Sequence, residues 1–189
     1  MSFLLMPTPV AARRLFLGRT GLTLSGAAVA LLAGNHALAA QAGESSAADA
    51  QILNTALGAE LEAIAAYQLG AESKLLQKPA LDLALTFQGH HKEHADLLAK
   101  TVEKLGGKPV GAKAKYNFPV EQLKSQTDVL RFAASLEQGA VSAYLGAVPL
   151  FGNRDLAKAA ASILGDEAMH WAILRQVLGE TPVPSAYVS

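Results

Sequence analysis

The chain has 189 residues, enough for one domain with a sizeable core, and 51% of them are hydrophobic against 17% charged, which excludes extended disorder outside the ends. Formal net charge is zero, but Arg13, Arg14 and Arg19 all lie in a first stretch of 39 residues that contains no acid; the remainder holds 13 basic against 16 acidic residues. That leaves no basic stripe to neutralise phosphates, so no nucleic-acid partner is expected. There is no cysteine, which excludes disulfides, thiolate metal sites and thiol nucleophiles, and requires any metal to be held by nitrogen and oxygen.

Residues 1–39 read as an export signal. Arg13-Arg14-Leu15-Phe16-Leu17 resembles a bacterial twin-arginine signal, followed by an apolar stretch from Gly21 to Gly34 and a small-residue cleavage site at Ala37-Leu38-Ala39. The apolar stretch is shorter than the roughly 20 residues of a spanning helix, so membrane association is expected only if the signal is retained. A periplasmic or otherwise exported protein is expected, and twin-arginine export implies folding, often around a cofactor, before crossing. Residues 40–48 form a small, polar linker.

Four helical patterns follow, near 49–74, 79–106, 121–151 and 154–178, within a bundle spanning 49–180. Lys78-Pro79 separates the first two and Gly152-Asn153 the last two, so each pair is expected as an antiparallel hairpin. Gly106, Gly107, Pro109, Gly111 and Pro119 break any helix between the pairs and mark one long crossover, whose Lys108, Lys113 and Lys115 read as solvated surface. The tail, 181–189, contains Pro182 and Pro184 and is expected to lie on the surface or fray.

A heptad seam through each helix places polar residues among apolar ones. The first runs Leu53, Leu57, Glu60, Ile64, Tyr67 and Ala71; the third runs Leu130, Ala134, Glu137, Val141, Tyr144, Val148 and Phe151. On the second it is Ala84, Phe87, His91, His94, Leu98, Thr101 and Leu105; on the fourth, Leu156, Ala160, Ile163, Glu167, His170, Leu174 and Val177. The Glu-to-Tyr spacing of the first helix recurs in the third, and His91-x-x-His94 is echoed by Glu167-x-x-His170, as though one hairpin were used twice. Residues three apart share a helix face, so each of these steps can address one metal. Three carboxylates buried at one level repel one another and are costly without a cation or a dense hydrogen-bond network.

This ordered set resembles the ferritin-like superfamily, four-helix bundles with one long crossover and a carboxylate-bridged metal pair. The resemblance implies an all-α, antiparallel four-helix bundle with its crossover between the second and third helices. It implies metal ligands at Glu60, His91, His94, Glu137, Glu167 and His170, with dinuclear iron as cofactor and manganese or zinc as alternatives. His91 stands where the family has Glu, and that puts the second metal in doubt. The implied activity is that of a di-iron oxidoreductase acting on O2 or peroxide, as a ferroxidase or peroxide reductase; no residue is assigned a catalytic role. The alternative is a degenerate bundle with a mononuclear Zn or Mn site, or none, serving structure or stress protection in the cell envelope. Without cysteine a complete rubrerythrin is excluded, and a tail without a fifth helix argues against a storage cage, although a homo-oligomer remains open.

Four further residues need placing. Tyr67 and Tyr144 read as core aromatics with satisfied hydroxyls or as redox residues. Glu62 is expected to face solvent. His90 reads as a surface residue or as an outer partner of the site, and an alternative register pairs it with His94 and brings Glu93 alongside.

Overall fold

A computed structural model describes residues 36–188, with backbone alone for 36–43, so the arginine pair and the apolar stretch expected to form an export signal lie outside the described residues. The chain divides into two compact units, Met1–Glu44 and Ser45–Ser189, and the described part of the first is helical backbone from His36 onward. The four long helices are α1 (His36–Glu72), α2 (Lys78–Lys104), α3 (Gln126–Ala147) and α4 (Arg154–Val177), with 3-10 turns at Val120–Gln122 and Val148–Leu150. Among the described residues there is no strand, and no helix is long and apolar enough to cross a membrane.

Residues 40–48, expected as a linker, continue as helix, so α1 starts at His36 rather than near 49. Four alanines and a glutamate among those nine residues outweigh Gly43 and the serine pair in local helix propensity. The third helix is shorter than expected. Ser125 caps it by accepting the Asp128 N–H, and Pro149 lies just past its last residue. Asn153 caps α4 by accepting the Asp155 N–H. At the far ends, Gly106 and Gly179 take φ of +80° and +75°, the left-handed geometry in which glycine closes a helix without a Cβ penalty.

Two apolar clusters fill the bundle. One joins Leu53 and Leu57 of α1, Leu98 and Val102 of α2, Tyr144 of α3 and Ile163 of α4. The other joins Tyr67 of α1, Phe87 of α2, Leu130 of α3 and Leu174 of α4. Each draws on opposite halves of successive helices, as antiparallel hairpins require. Fully burying a Leu, Ile, Val or Phe contributes about 1.5–3 kcal/mol, so these two clusters supply the cohesion and the layer between them is free to be polar.

The crossover is tied to α1 through one side chain: Asn54 donates to the Lys108 carbonyl at 2.9 Å and accepts from the Val110 N–H at 2.9 Å. Asp49, buried near the start of the second unit, accepts the N–H groups of Gly152 and Asn153 at 2.8 and 3.0 Å. Gly152 fits closely there: a Cβ would stand 2.1 Å from Ser45 Oγ, so any larger residue requires that hydroxyl to turn away. The exposed tail is held at its start by Arg175 Nε, which donates to the Thr181 carbonyl at 2.7 Å.

Candidate metal centre

The layer between the two apolar clusters contains Glu60, His91, Glu137, Glu167 and His170, all buried, with His94 at its edge. Each lies on the heptad face of its helix, so the seam that packs the core also delivers the donors. One oxygen of each single glutamate is already engaged. Tyr144 of α3 donates to Glu60 Oε1 of α1 at 2.6 Å, and Tyr67 of α1 donates to Glu137 Oε1 of α3. The two tyrosines thus satisfy their hydroxyls on the carboxylate of the opposite repeat.

The remaining atoms sort into two groups. On one side His94 Nδ1 lies 3.6 Å from Glu60 Oε2 and 3.1 Å from Glu167 Oε1. On the other, His170 Nδ1 lies 3.6 Å from Glu137 Oε2 and 3.5 Å from Glu167 Oε2. Glu167 therefore offers one oxygen to each group, the arrangement of a bridging carboxylate. His91 adjoins both, with Nδ1 at 2.8 Å from Glu60 Oε2 and Nε2 at 3.3 Å from Glu137 Oε1, but as a neutral imidazole it has one lone pair and can ligate on one side only. Both sets, Glu60, His91, His94, Glu167 and His91, Glu137, Glu167, His170, have donor atoms within 4.8 Å of one another.

Among the described residues, five buried side-chain atoms lack any hydrogen-bond partner: His94 Nδ1, Glu137 Oε2, both oxygens of Glu167, and His170 Nδ1. Leaving such groups unmade costs about 1–3 kcal/mol each, and more when charged. All five belong to the two groups just described, so one kind of occupant, a cation with nitrogen and oxygen ligands, would satisfy them together. The donor set suits Fe, Mn or Zn without selecting among them.

Electrostatics describe the same layer when protons rather than metals supply positive charge. Burial works against ionisation of Glu60 and Glu137, but the facing imidazoles, with His91 hydrogen-bonded to both, outweigh it and hold both carboxyls below their ordinary range. Burial likewise disfavours the charged imidazoles, yet the facing carboxylates raise His91 to about 10 and His94 and His170 to about 9. Tyr67 and Tyr144 are pushed above the usual phenol value by burial and by their Glu partners, so they remain hydrogen donors.

Phe87 stacks on the His170 ring with centroids 4.0 Å apart, fixing its plane. An open cavity of 710 Å³ lies between α1 and α3, and its lining combines small Ala and Gly residues with Glu60, His91 and Glu137. Glu62, expected to face solvent, is half-buried and lines this cavity, but does not join the donor cluster.

All six residues read from the seam are brought together. The alternative register is not adopted, since His91 is buried in the centre and Glu93 is exposed. Sequence reasoning passed over Asp166, whose Oδ2 lies 3.2 Å from His170 Nε2 and 3.4 Å from His94 Nε2. A signal for it existed in the repeat: Asp166 is the counterpart of His90, 76 residues away.

Comparison with known proteins agrees with this fold. No curated protein matches the chain in sequence. Among solved structures, a conserved hypothetical protein from Mycobacterium tuberculosis is similar with a TM-score of 0.66 and 24% identity, covering 76% of this chain and 99% of its own. A ferritin-like, diiron-carboxylate protein from Bacillus anthracis str. Ames is similar with a TM-score of 0.62 and 20% identity, covering 71% and 97%. The family model of the ferritin-like domain matches residues 48–180, nearly all of the helical bundle, and the chain belongs to that family.

Proposed function

We propose that the protein is an exported ferritin-like metalloprotein that binds a pair of divalent ions, iron first among them, and acts as an oxidoreductase toward O2 or peroxide. The observation that carries this reading is the sorting of the five unpartnered buried atoms into two groups joined by Glu167. Glu60, His94 and Glu167 would hold one ion, and Glu137, His170 and Glu167 the other, with His91 adjoining both. When bound, a reduced iron pair supplies two electrons, enough to take one peroxide to two waters with two protons.

The chain's own contribution is positional. Tyr144 and Tyr67 each hold one oxygen of Glu60 and Glu137, so each carboxylate presents its other oxygen to the centre. Phe87 holds the His170 ring. The cavity between α1 and α3 offers a small neutral oxidant a path to Glu60, His91 and Glu137.

A second reading rests on His91. Its hydrogen bonds to Glu60 and Glu137 and its raised pKa let an imidazolium sit where a bridging glutamate would neutralise metal charge. The bundle would then hold one Zn or Mn ion, or none, and serve structure or stress protection in the envelope. Anaerobic loading with Fe2+ followed by O2 or peroxide separates the two readings. Stoichiometric oxidation at two irons per chain supports the redox protein, and one ion without oxidant consumption supports the alternative. Export is tested by replacing Arg13 and Arg14 with lysine, which is expected to retain the protein in the cytoplasm; unchanged export would refute a twin-arginine route.

A further inference from the structure

Beside the central layer, on its solvent side, three donor atoms close a triangle. His90 Nδ1 lies 3.0 Å from Asp166 Oδ2 and 2.9 Å from His170 Nε2, and the third edge, His170 Nε2 to Asp166 Oδ2, is 3.2 Å. His90 and Asp166 occupy equivalent places in the two repeats and are partly exposed, at 42% and 23% of their side chains. His170 is buried and meets the triangle through the nitrogen that the central groups do not use.

Hydrogen bonding alone cannot satisfy all three edges. If both nitrogens carry protons, both donate to the carboxylate and two N–H groups face each other across 2.9 Å. If only one does, a lone pair of the other nitrogen faces the carboxylate oxygen. A cation facing all three lone pairs removes the conflict. Three ligands on one face of an octahedron, each about 2.1 Å from the metal, stand about 3.0 Å apart, and two imidazoles with one carboxylate on such a face make a known binding set for divalent iron.

We propose that His90, Asp166 and His170 Nε2 form a separate cation site at the rim, selective for divalent first-row transition ions. A neutral imidazole has a single lone pair, so His170 serves either the rim ion through Nε2 or a central ion through Nδ1. Occupancy of the rim and of the Glu137 side of the centre is therefore mutually exclusive. Because His170 borders both places, the rim site is a station on the way of an ion to the Glu137 side of the centre.

The site is independent of the redox reading, and Co2+ serves as the probe. Glu137→Gln weakens the central group that competes for His170, while its amide can still accept the Tyr67 hydroxyl. In that background His90→Ala is expected to remove one Co2+ per chain in a calorimetric titration followed by visible absorbance. In the otherwise unaltered chain, His90→Ala is expected to slow Co2+ loading severalfold and leave the final content unchanged. Equal Co2+ content with and without His90 in the Glu137→Gln background, or unchanged loading kinetics in the parent chain, would overturn the proposal. Failure of the central site reads differently: Glu60→Gln and Glu137→Gln would then leave Co2+ content unaltered, while the His90-dependent ion persists.

Discussion

Glu167 is the residue on which the centre turns, because its two oxygens face two nitrogens, His94 Nδ1 and His170 Nδ1, that make no hydrogen bond. Glu167→Ala is accordingly expected to abolish the pair of bound ions, measured as metal per chain, whereas Glu62→Ala, which alters only the cavity wall, leaves it unchanged. Equal loss from both would refute the assignment. His91→Glu replaces a ring that reaches Glu60 and Glu137 by a carboxylate of the family type, and is expected to raise iron retention toward two per chain. Their placement was readable from spacing, since seven-residue Glu-to-Tyr and three-residue steps put all six candidate donors on the seam face of their helices. The crosswise tyrosine bonds were not, because each joins residues 70 or more positions apart in different repeats. Asp166 escaped for a related reason: its neighbours His90 and His94 belong to another helix, and only packing shows that they meet.

At the level of elements, breakers and caps located the helices, and drift along them spoiled the finer reading. On α2 the expected seam ran through Leu98, Thr101 and Leu105, but the buried residues beyond His94 are Ala95, Leu98 and Val102. A straight helix of 3.6 residues per turn advances past a strict heptad by about 20° per repeat, and the last turns of a 27-residue helix have moved to the next face. The same drift exposes Val177 at the end of α4. Caps follow simple chemistry, and Ser125→Ala and Asn153→Ala are each expected to cost about 1 kcal/mol in denaturant unfolding. Asp49→Ala should cost more, at least about 2 kcal/mol, because it leaves two N–H groups of the α3–α4 turn without their charged acceptor. A smaller loss at Asp49 than at the caps would show that the turn does not depend on it.

For the whole molecule, protons and metal ions compete for one set of lone pairs. In the metal-free protein the imidazoles of His91, His94 and His170 have pKa values raised to between about 9 and 10. Their stabilisation is complete below the unfolded value of about 6.5 and disappears as pH rises through about 9 to 10. Glu60 and Glu137 are lowered, so their share is present above the usual carboxyl range of about 4.3 and is lost in acid. Metal-free protein is thus expected to unfold at lower urea concentration at pH 10 than at pH 6. Ligation requires deprotonated imidazole, so loading at pH 7 should release about three protons per chain and reverse this trend, with metal lost in acid. A release near zero would count against histidine ligation. The four-helix order, the crossover and the polar layer were legible because each follows from periodicity or from glycine and proline. The start of α1 was not, since a run of Ala, Ser and Gly carries no hydrophobic period to read.

The most direct test of the central claim is metal content by elemental mass spectrometry. Chain and Glu167→Ala variant would be loaded anaerobically with Fe2+ at pH 7.5 and desalted. Two irons per chain in the parent and none in the variant is the result predicted for a carboxylate-bridged pair. Retention of no metal by the parent, or equal content in both, would contradict it.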